Sequence, residues 1–292
     1  SAGSVTVSAG DDGLKAPRTL EISGGTLNIE KSNEGIEAQY INILDGDVTV
    51  NSADDGINAS LKDSSSDTSS DTTSGTAAGQ QTQQNQNGQV QQAPAGGGAA
   101  PGGSQGSTGQ NQNMPQPPTD GAMPGGGGTF EVVDAAINIS GGTVTVNAEG
   151  DGIDSNGTAT FSGGTVTVNG PVAGGNNALD SNGDLLLNGG TVTAGSTSDM
   201  FEAPSSASTS GYLKITDSSA LTQGSTVQVT DSSGTVVANY KITTSGVQLV
   251  LVSNKNIVKG QSYTVSVTSG SVDAASTTAA SGASELGSFT AA

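Results

Sequence analysis

Apolar and polar residues alternate along this chain in pieces of three to five residues, and the pieces recur at a fixed spacing. Ser23-Gly24-Gly25-Thr26-Leu27-Asn28-Ile29 returns as Ser140-Gly141-Gly142-Thr143-Val144-Thr145-Val146 and as Ser162-Gly163-Gly164-Thr165-Val166-Thr167-Val168. Asn188-Gly189-Gly190-Thr191-Val192-Thr193 is a fourth copy, and looser ones begin at Leu44 and Gly3. A second motif follows: Asp12-Gly13-Leu14, Glu34-Gly35-Ile36, Asp55-Gly56-Ile57, Asp151-Gly152-Ile153 and Asn177-Ala178-Leu179. Ten residues separate Gly25 from Gly35, Gly46 from Gly56 and Gly142 from Gly152. A third piece closes each unit, as in Leu20-Glu21-Ile22, Ile41-Asn42-Ile43, Ile137-Asn138-Ile139, Ala159-Thr160-Phe161 and Leu185-Leu186-Leu187.

Alternation at period two in β-branched residues predicts strands, and the pieces are too short for helices. Three strands and three corners in each unit predict an all-β fold, a right-handed parallel β-helix of about 21–22 residues per turn. Val5, Leu27, Val48, Val144, Val166 and Val192 would stack in one interior column. Leu14, Ile36, Ile57, Ile153, Leu179 and Phe201 would form a second. At ~4.8 Å between strands, six turns reach roughly 29 Å. The competing arrangement is an antiparallel sandwich with hairpins at the Asp-Gly pairs. The repeat spacing fits stacking better. The Gly-Gly pairs are corners rather than phosphate loops, because neither a helix nor a Lys-Ser/Thr step follows them.

The pattern divides the chain into turns one to three over 1–60, an interruption over 61–134, further turns over 135–205, and a different β-rich region over 206–292. The segment 64–128 holds no Ile, Leu, Phe, Tyr or Trp, and six of the nine prolines. Its Gln/Asn-rich then Gly/Pro-rich composition cannot offset ordering entropy by burial, so a flexible excursion between two stacked turns is expected. From Ala203 on, the Asp-Gly motif stops and longer strands are expected around Tyr212–Ile215, Thr226–Val229, Thr235–Tyr240, Val247–Val252 and Tyr263–Val267. They read either as a cap on the helix or as a small separate module.

Composition narrows the chemistry. Hydrophobic residues are 32% of the chain, as suits a narrow solenoid that buries one side of each strand. The net charge of −19 argues against nucleic acid or anionic membrane as partners. Without Cys or His there is no disulfide, thiolate nucleophile, imidazole base or Cys/His zinc site. No apolar run is long enough to span a membrane as a helix. Ser1 follows no visible leader, so any signal peptide is expected to have been removed.

Stacking turns the repeats into rows of side chains. Asp12, Glu34, Asp55, Asp151, Asn177 and Asp199 would occupy one row. Lys15, Glu37, Asn58, Asp154, Asp180 and Glu202 would occupy another three residues on, with Asp11 and Asp54 thickening the first. Carboxylates about 5 Å apart repel by ~3 kcal/mol at an effective dielectric of 20. Ca²⁺, which takes six to eight oxygen ligands, suits such a row. Asp151, Asp154 and Asp180 are the first expected site; Asp54, Asp55 and Glu34 are the second. Asp-Gly also suits tight corners, which accounts for one acid per turn but less well for the second acid. Thr6, Asn28, Thr49, Thr145, Thr167 and Thr193 form an outward row read as structural.

The stretch from Ile139 to Ser155, Ile-Ser-Gly-Gly-Thr-Val-Thr-Val and then Glu-Gly-Asp-Gly-Ile-Asp-Ser, resembles a bacterial family of extracellular β-helix proteins. These carbohydrate-binding domain proteins were first described in clostridia and are related to family nine pectate lyases. The likeness covers roughly Ser4 to Ser205 outside the interruption, and Gly260-Gln261-Ser262-Tyr263-Thr264-Val265 looks like that family's C-terminal part. It implies a calcium-binding β-helix that binds acidic, pectin-like plant polysaccharide without cleaving it. Two features depart from an ordinary glycan binder: aromatics are 3% and Trp is absent. A uronate would instead be held through bound Ca²⁺.

The expected role is therefore a non-catalytic, calcium-binding protein, extracellular or at the cell surface. The alternative is a filament or matrix subunit built by end-to-end stacking, because the chain opens inside a turn with strand edges unpaired. A pectate lyase is the least favoured reading; Lys15, with Arg18 nearby, is its candidate base. Lys15 is more simply a surface ion pair.

Overall fold

The computed structural model describes residues 3–61, 131–217, 221–269, 272–273 and 275–292. Most of the expected flexible excursion over 61–134 lies outside these residues. The described strands are β1 (Ser4–Ser8), β2 (Leu14–Lys15), β3 (Thr19–Ser32), β4 (Ile36–Ala38), β5 (Tyr40–Ser52), β6 (Ile57–Ala59), β7 (Ala136–Ile139), β8 (Thr143–Ala148) and β9 (Ile153–Ser155). They continue as β10 (Thr158–Asn169), β11 (Leu179–Ser181), β12 (Leu185–Ser196), β13 (Leu213–Thr216), β14 (Ser225–Thr230), β15 (Val236–Lys241), β16 (Leu249–Ser253), β17 (Ser262–Ser269) and β18 (Ser284–Thr290).

Strands β1 to β12 form a parallel β-solenoid of about six turns. One sheet runs β1-β3-β5, then β7 and β8, then β10-β12, every pair parallel. A second parallel sheet stacks β2-β4-β6-β9-β11. The register follows the sequence repeat: Leu27 lies against Val48, Val48 against Val144, Val144 against Val166, and Val166 against Val192. Leu14, Ile36, Ile57, Ile153 and Leu179 pair in the same way. Ile36, Ile57 and Ile153 have no solvent exposure. Turns three and four stack directly across the sequence interruption, with Tyr40 opposite Ala136. The solenoid resumes by Val133, whose N–H donates to Asn156 O at 2.9 Å, just inside the expected interruption.

Three expectations need correction. The closing piece and the Gly-Gly piece are usually one bent strand, not two. β3, β5, β10 and β12 run through the corner with a register shift there, and only Ser140–Gly142 separates two strands. The glycines turn the backbone at positive φ, +87° at Gly25 and +74° at Gly164, without ending the ladder. Val5 keeps its register with Leu27 but is 52% exposed, because β1 pairs with β3 alone among the described residues. Phe201 packs on the core beside Leu179 but lies outside the strand column.

The glycine of the Asp-Gly-Ile motif has a steric cause. A Cβ on Gly56 would run into Gly152 O and the Val146 side chain, and one on Gly152 into Ala178 O and the Val168 side chain. The equivalent residue on β11's turn is Ala178, and β11 is the last strand of this sheet among the described residues.

The last turn is capped. β16 pairs antiparallel with β12, and β13 with β16, so β16 covers the free edge of β12 and β13 becomes the outermost strand of the long sheet. A separate cluster, including Leu213, Ile215, Val227, Tyr240, Val250 and Val265, fills the space under the antiparallel sheet β15-β14-β17-β18.

Inside the corner after the Gly-Gly strand runs an amide ladder. Asn147 donates to Asn51 Oδ1 at 2.9 Å and Asn169 to Asn147 Oδ1 at 2.9 Å. Tyr240 Oη, from the cap, donates to Asn169 Oδ1 at 3.1 Å and ends the ladder.

Candidate functional site

The short strands of the second sheet carry the chemistry. They bring Lys15, Glu37, Asn58, Asp154 and Asp180 into strict register on successive turns. The residues before the motif glycine stack alongside. Gly35 N–H donates to Asp55 O, Gly56 N–H to Asp151 O and Gly152 N–H to Asn177 O. The side chains of this row also link turns. Asp55 Oδ1 accepts the Asp151 N–H at 2.8 Å, and Asp151 Oδ1 accepts the Asn177 N–H. One oxygen of each carboxylate thus serves the corner, as turn chemistry demands, and the other does not.

Two groups of three carboxylates converge. Asp55, Asp151 and Asp154 each offer an oxygen within 4.8 Å of the others, and so do Asp12, Glu34 and Glu37. Their counter-charges differ. Lys15 Nζ lies 2.6 Å from Asp12 Oδ2 and 2.8 Å from Glu37 Oε2, so the chain supplies a cation to the first group. No lysine or arginine forms an ion pair with the second group among the described residues.

The electrostatics record the crowding. Burial pushes Asp151 up to about 7; the Asn177 N–H opposes this, and the charges of Asp55, Asp180 and Asp54 add to it. Burial pushes Asp154 up to about 8, reinforced by Asp151, Asp180, Asp55 and Glu34. Asp55 is raised, first by burial. Glu202 extends the row beyond Asp180. It accepts the Ser181 N–H at 2.6 Å and is pushed up to about 8, by burial and then by its hydrogen bond with Asp180.

The other expected residues fall around this core. Asp180 Oδ1 accepts the Ser181 N–H at 2.8 Å and contributes charge to the second group. Asp54 is exposed beside Gly150 and also adds charge. Asp11 is exposed, and its carbonyl accepts the Asn33 N–H. Asp199 departs from the expected row. Its carboxylate is bound first by Thr197 Oγ1 and then by nearby backbone N–H groups, including that of Gly175, which hold it below the usual carboxylate range. The loop after β12 turns away before the row can continue through it.

Every donor in the second group is oxygen, the set a hard divalent cation takes. Asn58 adds a further indication. Its Nδ2 donates to Asp55 Oδ2 at 3.3 Å, while its Oδ1 is a buried acceptor with no hydrogen-bond donor. An unsatisfied buried oxygen is costly, and a cation bound by the neighbouring carboxylates would satisfy it. The residues present therefore fit Ca²⁺.

The sequence model of a family described as carbohydrate-binding domain-containing protein matches residues 1–115. That span covers the first three turns, with Asp12, Glu34, Glu37, Asp55 and Asn58, and supports a link to carbohydrate binding. No curated protein matches the chain, and no solved structure does. No described helix is long and apolar enough to cross a membrane.

Proposed function

We propose that this chain is a non-catalytic carbohydrate-binding β-solenoid that acts outside the cell and uses Ca²⁺ to hold acidic, pectin-like polysaccharide. The observation that carries the reading is the group Asp55, Asp151 and Asp154, three carboxylates from two successive turns that no lysine or arginine among the described residues pairs with. Asp55, Asp151, Asp154 and the Asn58 oxygen would hold the ion, with Asp180 adding charge at the border. Bound there, Ca²⁺ would offset the repulsion in the row and offer open coordination positions to a sugar carboxylate. The protein's own part is to fix these oxygens on rigid stacked strands, so little ordering cost remains on binding. The match to a carbohydrate-binding family over residues 1–115 supports the ligand class. Lys15 is held between Asp12 and Glu37, an arrangement that ties up a base and supports a role without cleavage.

The experiment is retention on polygalacturonate with Ca²⁺ and with chelator. Retention is expected with Ca²⁺ alone, and Asp151→Asn is expected to abolish it. Retention that is indifferent to chelator and to this substitution sinks the reading. Release of unsaturated uronate would overturn the non-catalytic assignment.

A further inference from the structure

Past the acid rows the chain leaves β12 through a strap, residues 203–212. Ser205 N–H donates to Leu185 O and Ser210 N–H to Leu187 O, both at 2.8 Å, while Ser208 Oγ accepts from Leu187 N–H at 3.0 Å. The strap therefore rides on β12 as a partial extra turn. Tyr212 exchanges both backbone hydrogen bonds with Ala292, and Lys259 Nζ donates to Ser208 O at 2.6 Å. Between these segments opens a groove of about 290 Å³, whose lining includes Ser206, Ser208, Ser210, Tyr212 and Lys259.

This groove differs in sign from a molecule of net charge −19. Lys259 is exposed and makes no ion pair among the described residues. The Ser208 carbonyl takes one of the three ammonium donors and leaves two. Tyr212 is half-buried, packed on the solenoid core while also lining the groove. A positive donor, an aromatic ring and hydroxyls in one concavity are complementary to a carboxylated sugar: charge to carboxylate, ring to the apolar sugar face, hydroxyl to hydroxyl. The volume sits at the small end of ligand sites, ~300–1,000 Å³, which favours one sugar unit over a length of chain.

We infer that the groove between the strap and Lys259 is a metal-independent subsite for a single carboxylated sugar unit. Lys259 binds its carboxylate and Tyr212 supports its ring. The inference rests on the acidic-polysaccharide reading and gives that ligand a second point of contact, away from the calcium row.

The full chain is titrated calorimetrically with D-galacturonate and with D-galactose, in chelator and in Ca²⁺. Galacturonate is expected to bind in both media, with galactose weaker. Lys259→Gln is expected to lower galacturonate affinity about tenfold, the loss of one charge-assisted contact, and to leave galactose unchanged. Lys255→Gln, an exposed lysine outside the groove lining, should change neither. An unchanged melting temperature verifies that each variant is folded. Equal galacturonate affinity in the parent and Lys259→Gln, or no binding of either sugar, overturns the inference. The two proposals separate cleanly: Asp151→Asn should remove polymer retention and spare galacturonate binding. A silent Lys259→Gln with retention intact would fail the groove alone.

Discussion

At Asp151 two demands meet on one side chain. One oxygen caps the N–H of Asn177 on the next turn, and the same carboxylate stands in a crowd of others. Asp151 is held at about 7, and Asp154 and Glu202 at about 8, all well above the ~4 of an unfolded carboxyl. Between these limits the folded chain binds more protons than the unfolded one. Stability without metal therefore falls as pH rises from ~4 through ~8. In chelator, the calorimetric melting temperature should drop steadily from about pH 5 to about pH 8.5, and Ca²⁺ should restore it at the upper end. A melting temperature that climbs over this range contradicts the crowding. The motif glycine offers a second residue-scale check. Gly152→Ala forces a methyl into Ala178 O and Val168 and should cost at least ~2 kcal/mol. Ala178→Gly should cost about 1 kcal/mol or less. Denaturant unfolding compares the two, and equal losses would refute the steric account.

Among the elements, the short strands β2, β4, β6, β9 and β11 decide which acids meet, because their pairing has no register shift. The row in register with Lys15 is lysine on the first turn, glutamate on the second, asparagine on the third and aspartate on the fourth and fifth. One column thus holds a built-in counter-ion at one end and a charge deficit at the other. Removing the counter-ion should convert the first group into a second metal site. Lys15→Gln is expected to raise calcium stoichiometry by one ion per chain in calorimetric titration. Unchanged stoichiometry would mean that Asp12, Glu34 and Glu37 are not competent ligands. These rows were legible in the sequence because a residue at a fixed place in the repeat lands at a fixed place on each turn. The Asn51, Asn147 and Asn169 ladder was equally visible as an Asn after three of the repeat's copies, Asp47–Val50, Thr143–Val146 and Thr165–Val168. Its meaning lay in a hydrogen bond, which periodicity alone does not display.

For the molecule as a whole, the stacking of β5 on β7 and β8 makes the solenoid continuous without the residues between them. Replacing residues 65–127 by a short Gly-Ser linker should therefore leave the melting temperature within a few degrees and calcium affinity unchanged. A collapse of either would show that the segment supports the turns it interrupts. The sequence by itself determined the solenoid, the interior columns and the acid rows, since a repeat that stacks on itself carries its contacts at constant separation. Only the tertiary structure decided where the repetition ends: that Asp199 leaves the row, that β11 is the last strand of the short-strand sheet among the described residues, and that β16 and Tyr240 close the last turn. The groove of Tyr212 and Lys259 belongs to the same class. Its members come from segments about fifty residues apart, joined by antiparallel packing that no periodic pattern encodes.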